Sequence, residues 1–318
     1  MITGTSKRLI LPLIVSVLFI FTIAFSLYSQ VITPSKPFDN SEFLTVDGVK
    51  IHFRVWKSLT ENDNPWILLV HGFSGSTYSW NKNIEALSTS GYNIVAVDVP
   101  PFSYSDKSTK LNHSVDNRAE LLLKFTHELN ADTKWHLFGH SMGGGIVAAM
   151  AILKPEIVDK VVFVAPALFG KLEPGRSFRQ KLIAFSPIEW TLAGIGKIFL
   201  IRESRIEKLI ESAYGQKSSP EDVLGYFTPL NQNGMARAII SSFSKSNPTR
   251  SLDINDFNSP ALAIWGANDS WVPYHSMKGY TDKMENLTIV IIKETGHNPM
   301  ETDTELFNKI VLEYFSKP

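Results

Sequence analysis

The chain has 318 residues, 44% of them hydrophobic and 19% charged, with 31 basic and 31 acidic side chains and a formal net charge of zero. This length can bury one sizeable core or two modest ones, and the charge balance offers no global field for nucleic acid or anionic lipid. The absence of cysteine excludes thiol catalysis, Cys-based zinc sites and disulfides, and the eight histidines show no H-E-x-x-H-type spacing, so neither metal nor other cofactor is expected.

At the N-terminus, Lys7 and Arg8 precede an uncharged run at residues 9–28, LILPLIVSVLFIFTIAFSLY. Twenty residues at helical rise cover about 30 Å, the hydrocarbon thickness of a bilayer. The run has no polar face, which argues against a buried core helix. It is also longer than the roughly 7–15-residue apolar region of a cleaved signal. A single-pass membrane anchor is expected, with the rest of the chain facing outward by the positive-inside rule. The alternative is a signal segment removed near Ala24 and Ser26, leaving a secreted protein. Residues 29–41 (SQVITPSKPFDNS) are polar, contain Pro34 and Pro37, and read as a linker.

From residue 42 onward, strand-like and helix-like segments alternate. Residues 43–46 and 50–56 flank Asp47-Gly48, a pair suited to a tight hairpin turn. Short apolar runs follow at 66–70, 93–97, 135–138, 161–164, 261–265 and 288–292, as expected of strands buried on both faces of a parallel sheet. Helical periodicity falls between them at 79–88, 115–130, 142–153 and 304–315. The pattern predicts a doubly wound, mostly parallel α/β sheet. About a hundred residues separate the runs at 161–164 and 261–265, far more than a crossover needs. Within that interval, 182–201 is apolar and 202–212 amphipathic, predicting a helical cap at 169–250 over a core made of 42–168 and 251–318. Pro187, Glu189 and Lys197 argue against a second membrane span there.

The chemistry centres on Gly139-His140-Ser141-Met142-Gly143, placed between a strand and an Ala-rich helix. Small neighbours allow a sharp strand-to-helix turn that projects a serine hydroxyl from the sheet edge. Upstream, His71-Gly72-Phe73 follows the run at 66–70. The backbone N–H groups of Phe73 and Met142 are the expected donors to a tetrahedral oxyanion, and His71 is read as a loop-structuring residue.

With these pieces in hand, the chain from about residue 42 to 318 resembles the α/β-hydrolase superfamily, in the branch with a helical cap after the sixth strand. The resemblance rests on HGF (71–73), Asp98-Val99-Pro100, GHSMGG (139–144), WGANDSWVP (265–273) and GHNPMETD (296–303), in the superfamily's order. It implies an α/β-hydrolase fold, Ser141 as nucleophile, Asp269 as the acid that orients the histidine and His297 as general base. Asp253 and Asp256 are alternative acids. The order Ser, Asp, His is the one this fold uses, and a serine requires such a base to attack at neutral pH.

One departure concerns the segment commonly written D-x-P-G-x-G-x-S. Here Pro101 and Ser103 stand at the glycine positions, so this loop is expected to use positive φ less freely and to differ in conformation, which bears on the substrate-pocket wall and not on the triad. A serine at 141, where dehalogenases and epoxide hydrolases of this fold carry Asp, argues against both of those chemistries. The implied activity is hydrolysis of a carboxylic ester through an acyl-enzyme, with a lipophilic ester suggested by the apolar cap and the membrane run. Cleavage of a C–C bond or perhydrolysis by the same triad, or a low-turnover ligand receptor, are the alternatives. The partners expected are therefore a small-molecule ester and, through residues 9–28, a membrane; no nucleic acid is expected. Asn112, Asn268 and Asn286 head N-x-[ST] sequons; a glycan on Asn268 would sit beside Asp269, which favours a bacterial source if the domain faces outward.

Overall fold

In the computed structural model of the chain, the described residues are 36–58, 64–108, 111–168, 186–247 and 249–316, together with positions 16, 19 and 183. The expected membrane anchor at 9–28 lies outside the described residues but for Ser16 and Phe19. Among the described residues no helix is long and apolar enough to cross a membrane.

Eight strands form one sheet: β1 (Ser41–Val46), β2 (Val49–Trp56), β3 (Trp66–Val70), β4 (Asn93–Val97), β5 (Trp135–His140), β6 (Val158–Val164), β7 (Ala261–Gly266) and β8 (Leu287–Ile292). Their order is β1-β2-β4-β3-β5-β6-β7-β8. The β1–β2 hairpin turns at Asp47-Gly48, both with positive φ, as a two-residue turn between twisted strands requires. β2 is antiparallel to β4, and every later pairing is parallel. The helices are α1 (Ile84–Thr89), α2 (Val115–Leu129), α3 (Met142–Leu153), α4 (Ser186–Phe199), α5 (Glu203–Tyr214), α6 (Pro220–Leu230), α7 (Met235–Ser244), α8 (Tyr274–Thr281), α9 (Pro299–Thr302) and α10 (Thr304–Phe315).

Alternation along the strands divides the core in two. Leu68, Val70, Leu137 and Phe163 face Leu122, Phe125 and Val147 of α2 and α3. Ile67, Leu69, Phe138 and Val162 face Leu87 of α1 and Phe307 and Val311 of α10. Each such side chain, fully buried, contributes about 1.5–3 kcal/mol, and burial on both faces explains why these runs are continuously apolar. β8 departs from this pattern: it is an edge strand, and Ile289 and Ile291 remain 36% and 46% exposed.

One local expectation is corrected. The helix expected at 79–88 is interrupted, consisting of a 3₁₀ turn at Thr77–Trp80 and α1. The Ser76 hydroxyl caps the 3₁₀ turn by accepting from the Tyr78 N–H, and the Asn83 side chain donates to Met300 O and Asn308 Oδ1. In the loop after β4, Ser103 adopts positive φ all the same, at 53°. Asp98 compensates by accepting from the neighbouring Tyr104 N–H (3.2 Å) and from Thr77 N–H (2.7 Å), which fixes the loop around it.

Helices α4 to α7 occupy the interval between β6 and β7. α4 packs on α7 and α5 on α6. Glu189, fully buried on α4, is matched by Arg237 on α7 (3.0 Å) and Lys245 just beyond it (3.2 Å). α6 opens on a capping box, the Ser219 hydroxyl accepting from Asp222 N–H and the Asp222 carboxylate from Ser219 N–H, which stabilises a helix end by about 1 kcal/mol. Ile206, Ile210, Val223 and Leu230 of α5 and α6 pack over Phe102 of the sheet's upper loops.

Candidate active site

β5 ends and α3 begins with a single residue between them, Ser141. Its φ of 51° and ψ of −118° are sparsely populated for a non-glycine residue, and such conformations cost about 1–3 kcal/mol. The turn is held because Ser141 N–H donates to Val164 O while Ser141 O accepts from Gly144 and Ala167 N–H, each at 2.9 Å. The flanking glycines are required by contact. A Cβ on Gly139 would stand 2.4 Å from Gly143 O, and one on Gly143 would stand 2.3 Å from Val70 O. Met142 opens α3, so its N–H has no carbonyl partner within the helix and its side of the elbow carries the positive end of the helix dipole.

Asp269 lies after β7 and His297 after β8. The Asp269 Oδ2 accepts from His297 Nδ1 at 2.8 Å, and Oδ1 accepts from the N–H groups of Trp271 (2.8 Å) and Val272 (2.9 Å). Burial acts to raise the Asp269 pKa, but the bond and charge of His297 and these two N–H donors outweigh it and hold the carboxyl below its usual range. Trp271 stacks on the His297 ring, centroids 5.6 Å apart, and its Nε1 donates to Ser212 Oγ of α5 at 3.1 Å. The alternative acids lie elsewhere: Asp253 caps its own turn by accepting from Asn255 N–H, and Asp256 is exposed.

The other histidines near the elbow are structural. His71 Nδ1 donates to Gly72 O (2.6 Å) and Nε2 accepts from Val99 N–H (2.9 Å), which uses both nitrogens of a neutral ring; burial keeps its pKa low. Burial, reinforced by the His297 charge, pushes His140 well below the ordinary histidine value.

Ser141 and His297 border one cavity of about 350 Å³, together with Gly72 and Phe73. The cavity thus gathers Ser141, His297 and the loop of the expected donor Phe73, with Asp269 behind the histidine. Its walls are mostly apolar, from Ile206, Leu209, Ile210, Leu230 and Trp271. Tyr214, Tyr226, Ser79 and Asn298 form a polar end. Sequence reasoning did not single these four out. Among the described residues no group of side chains could hold a metal ion.

A serine, an imidazole and a buried carboxylate in this relation can take a proton from the serine and stabilise the resulting imidazolium. A family model described as "alpha/beta hydrolase fold" matches residues 65–304. An "uncharacterized hydrolase YugF" of Bacillus subtilis is 28% identical over 272 residues, covering 85% of this chain and 96% of its own. A "2-hydroxy-6-oxononadienedioate/2-hydroxy-6-oxononatrienedioate hydrolase 1" of Pseudomonas putida is 24% identical, covering 87% of this chain and 97% of its own. Among solved structures, a bacterial "membrane phospholipase A" superposes with a TM-score of 0.67 at 20% identity, over 98% of this chain and 96% of that one.

Proposed function

The chain belongs to the α/β-hydrolase fold family, and on that premise we propose that it is a serine hydrolase acting on carboxylic esters, with Ser141 as nucleophile, His297 as general base and Asp269 as its orienting acid. The observation that carries this reading is the Asp269–His297 hydrogen bond at 2.8 Å beside a cavity that also contains the strained Ser141.

In this mechanism Ser141 Oγ attacks the ester carbonyl carbon while His297 Nε2 takes the hydroxyl proton. The N–H groups of Phe73 and Met142 receive the oxyanion; one such donor is worth about 3–4 kcal/mol of transition-state stabilisation. The carbonyl C–O bond then breaks, His297 returns the proton to the departing alkoxide, and the alcohol leaves. Water attacks the acyl-enzyme, giving one proton to His297, which passes it back to Ser141 as the acid is released.

A C–C hydrolase reading is favoured by curated relatives such as the Pseudomonas putida enzyme, whose dienedioate substrate carries two carboxylates. The cavity argues for the ester instead. Among the described residues no Lys or Arg lines it, and an unpaired carboxylate in a largely apolar site is costly. Its aliphatic walls suit a lipophilic acyl group. Residues 9–28 are assigned as the anchor that holds the domain at an outward membrane face; recovery of the protein in the alkaline-washed membrane fraction tests this, and a mature chain beginning near Leu27 would reject it. Replacing Ser141 by Ala tests the catalytic reading: turnover of a short chromogenic ester and labelling by a fluorophosphonate are both expected to vanish.

A further inference from the structure

Among the described residues Arg118, on α2, is the one lysine or arginine that is buried, at 6% exposure. Its Nη2 donates to Ser242 Oγ of α7 at 2.6 Å, and its Nη1 donates to Met142 Sδ, at the start of α3, at 3.0 Å. Its Cζ stands 5.5 Å from the centroid of the Phe102 ring. A hydroxyl, a thioether and an aromatic face are all uncharged, and Nε meets no acceptor among the described residues.

The carboxylates of the surrounding elements are engaged elsewhere. Asp98 accepts from His52, Thr77 and Tyr104, Asp116 accepts from Thr249 and Arg250, and Glu189 is matched by Arg237 and Lys245. Burial brings the pKa of the Arg118 guanidinium down to about 10, which still leaves it charged at neutral pH.

A buried cation without a counter-charge is unfavourable in a resting fold. The position of Arg118 shows where a counter-charge would arise. It touches the side chain of Met142, whose N–H is one proposed donor to the oxyanion. Phe102, the ring that Arg118 faces, packs edge-on against Phe73, the other proposed donor, with centroids 5.1 Å apart. His71, two residues before Phe73 on the same loop, already senses this cation: burial first, and in smaller part the Arg118 charge, lower its pKa. Arg118 does not line the cavity. The thioether and the ring that it touches screen its charge far less than water would.

We propose that Arg118 stabilises the tetrahedral intermediate at a distance: the negative oxygen formed between the Phe73 and Met142 N–H groups is the counter-charge that its guanidinium lacks in the resting enzyme. The inference rests on the reading of Ser141 as nucleophile. An ester carbonyl is neutral and its tetrahedral adduct is not, so the attraction grows only as the reaction proceeds. It therefore raises kcat with little effect on ground-state binding. Arg118 touches no reacting atom; it is a positioning residue that acts through Met142 and through its field.

The test compares the full-length wild type with Arg118→Met and Arg118→Gln, both uncharged. The glutamine amide keeps a donor for Ser242 should the methionine variant fail to fold. Three quantities are measured: kcat and KM for p-nitrophenyl butyrate, the inhibition constant of butylboronic acid, and that of N-propylbutanamide. The boronic acid bonds to Ser141 Oγ as the hydroxyl proton passes to His297, giving a tetrahedral boronate with a full negative charge. The amide binds as a neutral, planar ligand. Loss of the Arg118 charge is expected to lower kcat and to weaken the boronic acid by about ten-fold or more each, with KM and the amide constant changed less than about two-fold. Equal weakening of amide and boronic acid would mark Arg118 as a packing residue of the α2–α7 contact and overturn the proposal, as would wild-type kcat in either variant. A wild type that the boronic acid does not inhibit, with Ser141→Ala still active, would reject the serine reading itself. A wild type inhibited as expected, with both variants inhibited equally well, would reject the role of Arg118 alone.

Discussion

His140 Nε2 donates to the backbone carbonyl of His297 at 3.1 Å, so the residue just before the proposed nucleophile Ser141 holds the proposed base. A carbonyl can only accept, which puts the proton on Nε2, and the low pKa of His140 keeps the ring neutral. The two rings lie 4.8 Å apart. His140→Leu is expected to lower kcat by about ten-fold with KM little changed, because a misplaced base costs rate and not binding. His140→Gln, which keeps an N–H donor, is expected to recover most of the loss. Steady-state kinetics with a chromogenic ester separates the two.

The role of Asp269 can be isolated because its neighbours define its shape as well as its charge. Asp269→Asn keeps an oxygen for the Trp271 and Val272 N–H groups but turns an amide toward His297, favouring the wrong tautomer. We expect kcat to fall about 10³–10⁴-fold, as such a change does in a Ser-His-Asp triad, with the melting temperature nearly unchanged. An equally large drop in melting temperature would indicate that the carboxylate serves folding and not catalysis.

The sequence discloses what depends on continuous runs and short motifs. The inner strands β3 to β7 are visible because a strand buried on both faces is apolar nearly throughout, the β1–β2 hairpin because Asp47-Gly48 marks its turn, and the elbow because Gly139 and Gly143 have no steric alternative. The cap helices α6 and α7 are less legible. α6 contains Gly225 and Pro229, and α7 carries three serines, residues that read as turn formers until packing against α5 and α4 decides the matter. The cluster in which Glu301 accepts from the Tyr214 and Tyr226 hydroxyls and from Asn298 Nδ2 is invisible for another reason. Tyr214 and Tyr226 are 87 and 75 residues from Glu301, and a tyrosine on the inner face of an amphipathic helix resembles any other core residue. No local signal marks it as a hydrogen-bond donor to one distant carboxyl.

A second Ser–His–Asp row exists in this chain. Ser41 Oγ lies 2.8 Å from His52 Nε2, and His52 Nδ1 donates to Asp98 Oδ2 at 2.7 Å. All three are fully buried, and the row ties the β1–β2 hairpin to the loop after β4. Geometry alone does not make a nucleophile; access to a cavity does. A fluorophosphonate is therefore expected to label Ser141 only, and peptide mapping of the labelled protein should find Ser41 unmodified even in Ser141→Ala. Asp98→Ala should instead cost about 3–5 kcal/mol of stability, as breaking a buried pair does, measurable by urea unfolding.

The elbow glycines make a steric prediction. In Gly143→Ala the new methyl group would meet the carbonyl oxygens of Val70 at 2.3 Å and His71 at 2.7 Å. These are backbone atoms of the β3 end and the loop that follows it, and they cannot rotate aside. Overpacking of this kind costs about 1–3 kcal/mol. The displaced loop also carries Phe73, so turnover is expected to fall further than stability. A Gly143→Ala protein with wild-type melting temperature and kcat would show that the loop yields freely.

Glu301 gives stability a pH dependence with a definite sign. Burial raises its pKa from the ordinary 4.5 to about 7, against the opposing bonds from Tyr214, Tyr226 and Asn298. The charged neighbour is Lys82, whose Nζ donates to Glu301 O at 3.3 Å and pairs with Asp222 of α6 at 3.0 Å. A carboxyl raised in the folded state binds its proton more tightly there than in the unfolded chain. Its contribution to stability is complete below about pH 4.5 and is lost as the pH rises through about 7. At 1.36 kcal/mol per decade the interval corresponds to about 3 kcal/mol. Unfolding by urea at pH 5, 6, 7 and 8 should show the wild type losing stability relative to Glu301→Gln, which does not titrate. Parallel slopes for the two proteins would reject the assignment. Because the two phenols that meet this carboxyl come from α5 and α6, the ionisation that weakens the fold also acts at the joint between cap and core. Protease cleavage within α5–α6 is therefore expected to accelerate over the same pH range in the wild type and not in the glutamine variant.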